Sequence, residues 1–134
     1  MSENTTTDSI TFRRMVERVR EQLNDTKAPY RFPTSFICES IVDGLRTLHN
    51  LRPESRYCGL KLVEMKYPDI VSPTPDNDTG LAELLDHQLH IDPRWESCIR
   101  YYAQSKCFEV DSSDTNNATK AQYCLGQFTA LAKL

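Results

Sequence analysis

The sequence predicts an all-α fold, a compact single-domain bundle of five or six helices with a Pro-rich connecting loop. Apolar residues recur at three- and four-residue spacing in several segments, which gives a helix one buried face. Glycine occurs only four times in 134 residues, which argues against an architecture of many tight hairpins. A chain of this length is close to the most common domain size.

Residues 1–8 are expected to be a disordered N-terminal lead-in, followed by a single helical domain at 9–134. Asp8 or Ser9 is predicted to cap the first helix. Its predicted buried face is formed by five apolar residues: Phe12, Met15, Val16, Val19 and Leu23. The helix therefore has one apolar and one charged side.

The charged side of the first helix carries four arginines within eight residues: Arg13, Arg14, Arg18 and Arg20. A guanidinium group suits bidentate contact with phosphate, so one alternative function is a nucleic-acid-binding regulator that uses this face. Glu17 and Glu21 lie on the same charged side as the arginines and reduce the positive field. A solvated helix face is the simpler interpretation.

The loop 24–33 contains two prolines, and its aromatic residues Tyr30 and Phe32 are expected to cover the core. A second helix is predicted from Thr34 or Ser35 to about His49. Its apolar side consists of Ile37, Ile41, Val42, Leu45 and Leu48. Gly44 in its middle marks either a close approach of two helices or a glycine tolerated at about 1 kcal/mol.

The segment 53–67 fits two structures. Leu60, Val63 and Tyr67 share a helical face, whereas Cys58, Leu60 and Leu62 alternate as in a strand. The alternation changes phase at Val63, which favours a helix. The next twelve residues, 68–79, contain three prolines and predict an extended connection.

Two predicted helices, 80–91 and 93–108, meet at Asp92 and Pro93. Proline disfavours helical geometry in the residue before it, while aspartate is a good helix cap and proline a good first helical residue. The two apolar faces consist of Leu81, Leu84, Leu85 and Leu89, and of Trp95, Cys98, Ile99 and Tyr102. A last helix at 117–133, capped by Asn116 or Asn117, has the apolar residues Ala121, Cys124, Leu125, Phe128 and Leu131.

The formal net charge of −3 is too small to indicate strong nonspecific binding to nucleic acid. It is unevenly distributed, since no Lys or Arg occurs between Tyr67 and Arg94. That interval contains the acidic residues Asp69, Asp76, Asp78, Glu83, Asp86 and Asp92. They form a candidate surface for a basic partner, or are solvated loop and cap carboxylates.

Five cysteines without a CxxC pair fit a reducing compartment better than a disulfide framework. No segment approaches the roughly 20 apolar residues of a membrane span, and the polar start is unlike a signal peptide. The sequence therefore predicts a cytoplasmic protein with no membrane contact.

His87 and His90 are the main candidates for chemistry. Three residues apart on a helix, they would lie close together, and a carboxylate or thiol could complete a zinc site. A thiol from Cys98 or Cys107 beside an imidazole would instead suit nucleophilic catalysis. The HExxH spacing is missing, and both cysteines fit core positions. A metal- or thiol-dependent enzyme is thus a second alternative, and no cofactor is expected.

The favoured function is a small non-enzymatic interaction protein that binds, and inhibits or regulates, a larger protein or nucleoprotein complex. Arg94 and Tyr101 have the composition of interface hot spots. The full set of predicted partner-binding residues is Arg13, Arg14, Arg18, Arg20, Asp76, Asp78, Glu83, Asp86, Arg94 and Tyr101. The sequence does not predict the partner's identity or the oligomeric state.

Overall fold

The computed structural model describes residues 10–27, 30–53, 84–89, 91–111 and 115–133. Within these ranges, four α-helices and one 3₁₀ turn have defined bounds. In order, they are α1 (Phe12–Leu23), α2 (Thr34–Leu51), the 3₁₀ turn (Pro93–Trp95), α3 (Glu96–Val110) and α4 (Asn117–Ala132). The all-α prediction is confirmed. The lead-in 1–8, the helix predicted in 53–67 beyond Pro53 and the connection 68–79 lie outside the described residues, so the total of five or six helices stays a prediction.

Helix α1 begins later than predicted. Thr11, not Asp8 or Ser9, is its cap, and the Thr11 Oγ1 accepts a hydrogen bond from the Arg14 N–H at 3.2 Å. At its other end Asn24 has φ 56° and ψ 40°, the left-handed conformation that commonly ends helices. The five apolar residues predicted to face the core are all buried.

Helix α2 contains the predicted buried residues, and all five are at most 2% exposed. It starts at Thr34 after Pro33, with no side-chain cap, and it extends past His49 to Leu51. A Cβ atom on Gly44 would lie 3.1 Å from Tyr102 Cδ1 of α3. Gly44 therefore marks a close approach of two helices.

The start of α3 matches the prediction at Asp92. Its carboxylate accepts a hydrogen bond from the Arg94 N–H at 3.0 Å, and Pro93 opens the 3₁₀ turn. The predicted face of Trp95, Cys98, Ile99 and Tyr102 is buried. Helix α3 packs against α1, α2 and α4, so it is central among the described helices.

The structure describes residues 84–89 and 91 of the helix predicted for 80–91, and the prediction is wrong beyond Leu85. Leu84 and Leu85 are helical, but Gln88 forms an isolated antiparallel bridge with Thr11. The Phe12 N–H donates to His87 O at 3.1 Å and the Leu89 N–H donates to Ile10 O at 2.9 Å. The bridge therefore uses a first-turn N–H of α1, which has no partner within its own helix.

Helix α4 covers one side of α3. Ala121, Cys124 and Phe128 are buried, and Leu131 packs partly against the core. Leu125 is 43% exposed, so its predicted core position is wrong. Asn116, one of the two predicted caps, stands at the N-cap position but makes no side-chain cap hydrogen bond. Asn117 Nδ2 donates to Asp111 O at 2.8 Å. Nowhere in the described ranges is a helix both long and apolar enough to cross a bilayer.

Candidate interaction surface

Arg20 does not belong to the exposed face on which it was predicted. It is 6% exposed, and its Nη1 lies 2.9 Å from Oδ2 of Asp25, which is 4% exposed. Its Nη2 donates to Thr34 Oγ1 at 2.9 Å. Arg20 thus connects the end of α1 to the loop and to the first residue of α2.

The other three arginines of α1 each lie close to a carboxylate of the same chain. Arg13 Nη2 is 3.1 Å from Asp86 Oδ1, and Arg14 Nη1 is 3.0 Å from Glu17 Oε1. Arg18 Nη1 is 3.7 Å from Glu96 Oε1. These carboxylates offset the positive charge that phosphate binding would use.

Of the four acidic residues predicted to contact a partner, the structure describes only Asp86. Asp86 is exposed and forms the ion pair with Arg13, so the basic and acidic candidates meet there. Asp76, Asp78 and Glu83 lie outside the described residues.

The histidine pair does not have the predicted helical geometry. His87 is at a bend beyond the last helical residue, and its ring centroid lies 6.4 Å from that of Phe12. His90 lies outside the described residues. Among the residues with described positions, no group of three or more His, Cys, Asp or Glu could hold a metal ion.

The described cysteines are buried and free: Cys38, Cys98, Cys107 and Cys124. Burial raises the pKa of Cys38, Cys98 and Cys107 to about 12, and it also raises the pKa of Cys124. A nucleophilic cysteine needs its thiolate form, which such pKa values suppress at neutral pH. These thiols act as small core side chains.

The two predicted hot-spot residues on α3 and the turn before it differ in exposure. Arg94 is exposed, and its guanidinium carbon lies 4.5 Å from the centroid of the Trp95 ring. Tyr101 is partly buried and packs against the core, so only part of its ring faces solvent.

A groove that the sequence did not predict lies between the loop before α2 and the end of α3. Its volume is about 550 Å³. Phe32, Pro33, Phe36 and Val110 provide apolar lining, and Arg31 and Asp111 provide charged groups. We call these six residues the loop groove. Val110 lies beyond the predicted end of the helix 93–108, but it is the last residue of α3 and is 59% exposed.

The wall of the loop groove is held in place by Asp25. Asp25 Oδ1 accepts from the Arg31 N–H at 2.8 Å, and Oδ2 accepts from the Phe32 N–H at 3.2 Å. The same carboxylate pairs with Arg20. Loop backbone and helix are thereby joined by one buried side chain, which holds the backbone at one wall of the groove.

The aromatic and charged side chains of the groove are also fixed. The Phe32 and Phe36 rings stack at 6.4 Å between centroids with an interplanar angle of 22°. Arg31 Nη1 donates to Asp111 Oδ2 at 3.1 Å, and its Nη2 donates to Leu23 O at 2.7 Å. The groove is therefore an apolar depression edged by the ion pair of Arg31 and Asp111.

Part of the signal for this groove is present in the sequence. Phe32 is 5% exposed and covers the core as predicted, but Tyr30 is 49% exposed. The Arg20 guanidinium carbon lies 4.0 Å from the Tyr30 ring centroid, so this ring covers the buried arginine instead. The two prolines indicate a defined loop, whereas nothing local indicates that Val110 lies beside it.

Comparison of the chain with protein-family models, with curated proteins and with solved structures finds no match.

Proposed function

We propose that this chain is a small non-enzymatic interaction protein that binds and regulates a larger protein or nucleoprotein complex. The observation that supports the proposal best is the loop groove, an exposed apolar depression with an ordered wall. The groove receives an apolar side chain of the partner. Arg31 and Asp111, which pair with each other, form a polar edge beside this side chain.

Two properties of the loop groove favour binding there: its exposed apolar area and its ordered backbone. Val110 is 59% exposed, and covering such a side chain contributes about 25 cal/mol for each Å² removed from water. The hydrogen bonds of Asp25 hold the neighbouring backbone, so binding loses less conformational entropy there. An apolar centre with a polar rim is also the usual arrangement of binding hot spots.

The exposed charged residues remain proposed contacts of secondary importance: Arg13, Arg14, Arg18, Asp86 and Arg94. The first four already take part in ion pairs within the chain, so a partner would have to compete with those pairs. For the same reason a nucleic-acid-binding function has less support than a protein-binding one. Tyr101, being half-covered, contributes at most one side of its ring.

The proposal is tested by affinity capture from native cells with Val110→Lys, which places a charge in the groove. Leu51→Lys is the matched control, because Leu51 is 53% exposed at the end of α2 and does not line the groove. We expect one stoichiometric partner to be retained by the wild type and by Leu51→Lys, and its recovery to fall at least about tenfold with Val110→Lys.

Circular dichroism should show that both variants keep the wild-type helix content, since both positions are exposed. Equal recovery of the partner by both folded lysine variants would refute a contact at the groove. Recovery of no partner by the wild type would refute the interaction function itself.

A further inference from the structure

The outer side of α4 is exposed and almost without charge. It consists of Ala118, Gln122, Tyr123, Leu125, Gly126, Thr129 and Ala130, which we call the α4 face. Tyr123 is 61% exposed and Leu125 is 43% exposed. A Cβ atom on Gly126 would have no other atom within 4 Å. This face therefore offers apolar surface that another helix could approach closely.

Four residues of the α4 face form a continuous line, which we call the seam. Ala118, Gln122, Leu125 and Thr129 follow one another at four, three and four residues, the spacing of one side of an α-helix. Lys120 is not one of these four positions, and its Nζ lies 5.6 Å from the centroid of the Phe108 ring on α3. The seam thus has no charged side chain until Lys133.

Two adjoining surface grooves follow this seam, each of about 480 Å³. One runs beside Glu109 and Ala118, the other runs beside Gly126 and Lys133, and both include Gln122 and Leu125. Together they make a channel along the helix, with the carboxylates of Glu109 and Asp111 at one end and the ammonium group of Lys133 at the other.

We propose that the α4 face binds the α4 face of a second copy of this chain, with the two helices antiparallel about a twofold axis. Such an interface uses the same surface on both chains, so each end of the channel meets the opposite end of its partner. Glu109, whose side chain is 54% exposed, forms an ion pair with Lys106 of its own helix, with 3.9 Å between Nζ and Oε2. In the dimer its carboxylate also lies near Lys133 of the other chain. This charge complementarity occurs twice in the dimer and favours the antiparallel arrangement over the parallel one.

Within one chain these two charges are too far apart to pair. Glu109 shares the first groove with Ala118, and Lys133 is fifteen residues further along the sequence. At 1.5 Å per residue the helix separates the two ends by roughly 20 Å. A measured coupling between Glu109 and Lys133 would therefore report contact between two chains.

The α4 face shares no residue with the loop groove, although Asp111 lines both the loop groove and the first groove along α4. Self-association goes beyond the proposed function and does not rest on it. A dimer carries two loop grooves, and it would bind a partner with two suitable sites more tightly than one chain could.

Sedimentation equilibrium of the full chain over a range of concentrations tests the proposal. The weight-average mass should rise from the 15.4 kDa of one chain toward twice that value. Leu125→Lys should weaken association at least about tenfold, because it places two like charges in the seam. Leu125 is exposed, so this variant is expected to fold.

Charge reversal tests the antiparallel arrangement. Glu109→Lys and Lys133→Glu should each weaken association about two- to tenfold, and the double variant should restore it. Glu21→Lys, an equal charge change on the exposed side of α1, is the control and should leave association unchanged. The proposal is overturned by a single-chain mass at every concentration, by association that Leu125→Lys leaves intact, or by a double variant that fails to restore it.

Discussion

At the scale of single residues, Asp25 organises the loop beside the proposed interaction surface. Its carboxylate accepts hydrogen bonds from Arg20, from the Arg31 backbone and from the Phe32 backbone. The sequence predicts Arg20 on a solvated face because its neighbours on that side of α1 are charged. It could not show that the chain reverses after Asn24 and returns Asp25 to Arg20 inside the protein.

Replacing Asp25 by Asn should lower the free energy of unfolding by about 3 kcal/mol, because Arg20 is then a buried charge without its counter-ion. The control is Asp43→Asn, which breaks a partly exposed pair with Arg46 and should cost less than about 1 kcal/mol. Urea unfolding of both variants measures the difference. Losses of similar size would show that the Arg20–Asp25 pair has no special structural role.

At the scale of helices, apolar spacing predicted α1, α2 and α3 well because each packs against more than one other helix. Apolar spacing gave a wrong prediction at Gln88, where the backbone pairs with another segment, and at Leu125, which lies on an exposed side of its helix. Gln88 pairs with Thr11 across the chain, and Leu89 and Ile91 are both buried two residues apart, as in an extended segment. Leu125 is exposed because α4 packs chiefly against α3.

The two glycines described in helices should respond in opposite ways to substitution by alanine. Gly126→Ala should stabilise the chain by up to about 1 kcal/mol, because alanine favours a helix and the space is open. Gly44→Ala should destabilise it by about 1 kcal/mol, because the new Cβ meets the Tyr102 ring at 3.1 Å. That ring is itself held edge-on by Phe128 at 5.1 Å between centroids.

Thermal unfolding at low protein concentration compares the two glycine variants without a contribution from self-association. If both alanine variants were stabilised alike, the approach of α2 and α3 at Gly44 would be looser than the structure indicates.

At the scale of the whole molecule, the proposed interaction surface exists only in the folded chain. The loop groove joins Phe36 at the start of α2 to Val110 at the end of α3, two segments far apart in sequence. Periodicity predicts which side of a helix is buried, but it does not predict which loop lies beside which helix end. The fold class and most core residues could therefore be predicted, whereas this groove could not.

Many charged side chains of the described residues pair within the molecule. Arginines and carboxylates that are separate candidates in the sequence become partners in the fold: Arg13 with Asp86, Arg18 with Glu96, and Arg31 with Asp111. Pairing across elements holds the elements together and leaves less charge for a ligand. An apolar contact at the loop groove consequently has more support than a charged one.

Photo-crosslinking tests the proposed contact at the loop groove most directly. A benzophenone amino acid placed at position 110 should, on irradiation in native cell extract, attach covalently to the partner recovered by affinity capture. The same amino acid at position 51 should give no such adduct. Crosslinking of that partner with equal yield from both positions, or from position 51 alone, would contradict binding at the loop groove.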